Sequence, residues 1–87
     1  MLEREIVLPV LRKMIQESKC DMERFSRLAM SFFFLSNAFD SWERHERDCR
    51  SKEYGTPEYE EARAKITNDI NRINELIARI SIDSQMA

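Results

Sequence analysis

The chain has 87 residues, with 14 Lys and Arg against 16 Asp and Glu, for a formal net charge of −2. That length holds one domain, and the near-balanced charge makes no electrostatic case for nucleic acid or an anionic membrane. One Gly and two Pro leave too few turns for a sandwich or barrel, and no apolar run approaches the ~20 residues that span a bilayer. The 43% hydrophobic and 34% charged residues suit a helical protein better than a disordered one. The first residues lack a basic stretch followed by an unbroken apolar one, so they do not read as a signal peptide. Two distant cysteines, Cys20 and Cys49, make no disulfide scaffold, and the expected compartment is the reducing cytoplasm.

Residues 1–20 form an apolar N-terminal segment. Ile6, Val7, Leu8, Val10, Leu11, Met14 and Ile15 cluster densely in it. Pro9 fits the first turn of a helix but not its interior. Ser18, with Asp21 three residues on, resembles a weak capping box and places a possible break at 18–21. The segment is either a short third helix folded back on a hairpin of the two helices that follow or an arm that extends the long helix.

Residues 21–54 predict one long helix, since neither Gly nor Pro falls between 10 and 54. Phe25, Leu28, Phe32, Leu35, Phe39 and Trp42 alternate in steps of 3 and 4, and the alternation continues through Glu46 to Cys49. Gly55 falls where a helix C′ residue would stand. Thr56 is a good N-cap and Pro57 a good first residue, and Glu58, Glu60 and Glu61 suit the positive end of a helix dipole. A second helix at 57–82 comes next, its seam marked by Ile66, Ile70, Ile73, Ile77 and Ile80, leaving 83–87 as a tail.

So short a link makes the two helices antiparallel neighbours. A turn centred near 54.5 pairs positions whose numbers sum to about 109. Cys49 then meets Tyr59, Trp42 meets Ile66, Phe39 meets Ile70, Leu35 meets Ile73, Phe32 meets Ile77 and Leu28 meets Ile80. The one polar layer pairs Glu46 with Arg63, opposite charges that would act as a register device. The fold class is therefore all-α: a long, coiled-coil-like antiparallel hairpin with a short apolar N-terminal helix, assembling as a helical bundle.

One hairpin cannot bury all of this surface. Met30, Phe33 and Phe34 fall outside the seam, so residues 29–39 are apolar almost all round, and a helix apolar on every side is buried on every side. Together with Ile6, Val7, Val10, Leu11, Met14 and Ile15 they form the expected partner or oligomer interface. A homo-oligomer would cover them, with a dimer that exchanges its N-terminal arms favoured; another protein is the alternative occupant.

Catalytic and cofactor chemistry finds little support. His45 and Cys49 stand four apart on one helix face, but a tetrahedral metal site usually takes four ligands, and the chain offers one His and two Cys. Several carboxylates stand four residues before a cation, as in Glu23–Arg27, Glu43–Arg47, Glu46–Arg50, Glu61–Lys65 and Glu75–Arg79, the pattern of a solvated helix face. No phosphate-binding glycine loop, nucleophile elbow or zinc-protease motif occurs. A pocket for a dicarboxylate would need clustered cations inside the bundle, and Arg63 is the single candidate. The expectation is a non-enzymatic protein–protein interaction module without cofactor or metal, an adaptor, chaperone or inhibitor. The alternative is a dimeric nucleic-acid-binding regulator using Arg44, Arg47 and Arg50, against which the interleaved acids Glu43, Glu46 and Asp48 weigh.

Overall fold

The computed structural model describes residues 4–85, with side chains through Ile80. Three helices account for nearly all of it: α1 (Arg4–Glu17), α2 (Met22–Arg50) and α3 (Pro57–Gln85), with no strand among the described residues. The molecule is a rod of 52 × 18 × 17 Å.

The break between α1 and α2 comes from local hydrogen bonding. The Ser18 hydroxyl donates back to the Ile15 carbonyl at 2.9 Å, giving the last turn of α1 a partner while Ser18 itself is buried. Asp21 then takes an extended backbone conformation and accepts the Arg24 N–H at 3.1 Å, so the N-cap of α2 is Asp21 rather than Ser18. Pro9 sits in the interior of α1, beyond the first turn. Its ring and the Glu5 residue whose carbonyl loses a donor are both exposed, so water can take that bond.

Helix α2 ends four residues earlier than the sequence suggests. Ser51 closes it, its hydroxyl donating to the Asp48 carbonyl at 2.6 Å and its N–H to the carbonyls of Arg47 and Asp48. Such side-chain bonds compete with helix propagation. Gly55 therefore serves the connection and not the α2 terminus: its φ of +87° lets the chain reverse just ahead of Thr56. Thr56 caps α3 as its residue type implies, accepting the Tyr59 N–H at 3.2 Å. No Gly or Pro halts α3 at 82, and it runs on to Gln85; Met86 and Ala87 of the expected tail lie outside the described residues.

The core is continuous across all three helices. Leu11, Leu28, Leu35, Phe39 and Ile73 are fully enclosed, joined by Val7, Ala38, Leu76 and Ile80, with Leu8, Met14, Ile15, Phe32, Trp42 and Ile77 packed against them. Full withdrawal of a Val, Leu, Ile or Phe side chain from water contributes about 1.5–3 kcal/mol. α1 thus lies on α2 in its own chain. Arg4 fastens its start through an ion pair with Asp40, a second with Glu43 at 3.4 Å and stacking on Phe39 at 5.8 Å. Arg12 lies over the Phe32 ring at 5.6 Å. The hydrogen bond to Asp40, aided by the charges of Asp40 and Glu43, raises the pKa of Arg4 above its ordinary value against the opposing effect of burial.

Candidate functional site

The nine residues expected at an interface divide into two groups. Val7 and Leu11 are core residues of their own chain, and Met14 and Ile15 pack against that core. The other five stay in solvent: Ile6 is 54% exposed, Val10 58%, Met30 59%, Phe33 62% and Phe34 37%. Folding α1 onto α2 has therefore covered the inward side of the aromatic stretch and left its outward side bare.

Helix periodicity explains the division. At 100° per residue, Phe32, Leu35 and Phe39 point toward the groove that receives α1 and α3, while Met30, Phe33, Phe34 and Asn37 point the opposite way. Phe33 and Phe34 meet edge to face, ring centres 5.8 Å apart and planes at 68°. This geometry suits aromatic rings. Ile6 and Val10 lie one turn apart on α1, on the opposite side of that helix from Arg12, which is the side chain touching Phe32.

A polar cluster that residue spacing alone does not assemble links α2 to α3. The Ser41 hydroxyl donates to Asp69 Oδ1 at 3.0 Å, and His45 Nδ1 meets Asp69 Oδ2 at 2.5 Å, with Ser41 Oγ 3.4 Å from the same ring nitrogen. The trio has the residue types of a hydrolase relay without its geometry. A relay needs the serine on one imidazole nitrogen and the carboxylate on the other, whereas here both lie at Nδ1 and the hydroxyl donates to the carboxylate. The arrangement is an interhelical bracket. Its signal in the sequence is faint: Ser41 and His45 stand four apart, and 41 and 69 sum to 110, beside the expected 109.

Glu46 and Arg63 do not pair among the described residues. Glu46 is taken by Arg50 one turn along its own helix, and Arg63 is exposed. An i,i+4 partner needs no second helix to position it. Two of the basic residues at this end are likewise paired within α2 or just past it, Arg50 with Glu46 and Lys52 with Asp48 at 3.7 Å. A shallow depression holds Arg47 and Arg50 beside Trp42, Glu43 and Glu46, and a second holds Lys52 and Lys65 beside Asp48, Glu58 and Glu61. Acids line both, which cancels the field a phosphate would need. Cys49 is buried, Cys20 is exposed, both are free thiols, and no group of three metal-ligating side chains occurs among the described residues. Nor is any helix there long and apolar enough to cross a membrane. Neither a protein-family model nor a curated protein nor a solved structure matches the chain.

Proposed function

We propose that this protein is a small non-enzymatic interaction module, of the adaptor, chaperone or inhibitor kind, whose docking surface is the outward face of α2 and whose first occupant is a second copy of the chain. The observation that carries this reading is the exposure of Met30, Phe33 and Phe34 after α1 has taken its place on α2. An apolar cluster left bare by a folded chain marks an association site. The reading includes α2 and α3 as an antiparallel, coiled-coil-like hairpin that assembles into a helical bundle. The contact of Ser41 with Asp69, one residue from the expected register, supports it. Two free thiols suit a cytoplasmic setting. The nucleic-acid alternative draws less support, since Arg50 is bound to Glu46 and Arg47 shares its depression with two glutamates.

The test is the double substitution Phe33→Asp with Phe34→Asp. Neither side chain is in the core, so the circular dichroism spectrum should hold while the mass from light scattering falls to that of one chain. An assembly whose mass ignores both substitutions contradicts the proposal.

A further inference from the structure

We infer that the second copy docks with its α2 running in the opposite direction, a deduction that rests on reading the outward face of α2 as a docking surface. That face carries its own seven-residue repeat. Glu23, Met30, Asn37 and Arg44 recur at intervals of seven, flanked on one side by Ser26, Phe33 and Asp40 and on the other by Arg27, Phe34 and Ser41. All but Ser41 are exposed. The stripe is apolar in the middle and charged at both ends, and the order of the charges decides orientation.

Place a twofold axis between Phe33 and Phe34, so that facing positions sum to 67. Phe33 then meets Phe34 of the second copy, Met30 meets Asn37, Arg27 meets Asp40 and Glu23 meets Arg44. The apolar centre closes on itself, and each outer layer joins opposite charges, twice by symmetry. A parallel, in-register pair would instead set Glu23, Arg27, Asp40 and Arg44 each against its own copy, four layers of like charge. Three of these four groups already have partners within the chain, Arg27 with Glu23 at 3.4 Å and Asp40 with Arg4. The dimer extends those pairs into networks of alternating sign. Met30 opposite Asn37 is the mixed layer, and a polar residue inside an apolar stripe fixes alignment at some cost in stability.

The protein carries a natural probe. Cys20 is exposed just ahead of α2, whereas Cys49 is buried. In the antiparallel dimer the two Cys20 residues lie about 40 Å apart along the helix axis, at a rise of ~1.5 Å per residue; a parallel dimer brings them to the same end. Spin labels on Cys20 of the full chain, with Cys49→Ala to leave one site, should report that long separation. Glu23→Arg or Arg44→Glu alone should weaken dimerisation several-fold at low salt, and the two together should restore it, because only opposed helices convert the swap into new pairs. A short Cys20 separation with no rescue, in a dimer that Phe33→Asp with Phe34→Asp still dissociates, overturns the orientation and leaves the docking surface standing. A protein that is monomeric at every concentration, or a dimer indifferent to Phe33 and Phe34, overturns both.

Discussion

The two ends of α2 solve the burial problem differently. From Leu28 to Phe39 the helix packs with both of the others, and that stretch encloses Leu28, Leu35 and Phe39 completely together with Ile73 and Leu11. α1 reaches along it as far as Glu43 through Arg4. Past that point only α3 stands beside α2 among the described residues, and the side chains buried there are small: Cys49 and Ala62. Between the two zones sits the part-buried Ser41–His45–Asp69 bracket. Two cylinders in contact shield only a narrow strip, so they can bury an Ala or Cys but not a Phe; a third closes the strip into a cavity wide enough for aromatic side chains. The position of α1 thus sets where a large apolar core is possible.

The contrast can be broken at graded cost. Phe39→Ala, in the three-helix zone, should destabilise by about 3–5 kcal/mol, because the site is enclosed on every side and cannot collapse onto the void. Denaturant unfolding would show it, and a loss below ~1 kcal/mol would mean that α1 does not hold its seat. At the boundary, Asp69→Ala should cost about 1–2 kcal/mol by leaving Ser41 and His45 without their shared acceptor. A double-mutant cycle with His45→Ala should give strongly non-additive losses; additive ones would dissolve the bracket into independent surface polar groups. In the connection, Gly55→Ala should cost about 1 kcal/mol. A Cβ there meets no atom within 4 Å, so the whole effect is the left-handed backbone and should appear equally for Gly55→Ser.

How far these zones were legible in the sequence depended on which signal marked them. Thr56 and Pro57 announced the start of α3 because capping is a local preference that neighbouring helices do not alter. The isoleucines marked the apolar side of α3 but not its centre. Ile73 and Ile80 are buried, while Ile66, Ile70 and Ile77 are only half-buried, a class they share with Asp69, and Ala62 and Leu76 lie deeper than a stripe of isoleucines suggests. An alanine carries almost no hydrophobic signal and an aspartate carries the wrong one, so a pattern search rotates the seam toward the branched residues. The surplus at Met30, Phe33 and Phe34 was visible as an apolar run too wide for one partner helix. Which of its residues would remain outside was not visible, since that depended on the seat taken by α1. Val7 and Leu11 read no differently from Ile6 and Val10 until that helix is placed.

The rod shape has a consequence for anyone sizing this molecule. A compact chain of this length would have a radius of gyration of about 12 Å. The observed value is 15.6 Å, which matches a compact globule of about 170 residues. Calibrated against spherical standards, a lone protomer would therefore pass for a pair, and a true side-by-side pair would look larger still. Forward scattering intensity counts molecules without reference to their outline, and it is by that quantity that one chain and two can be told apart.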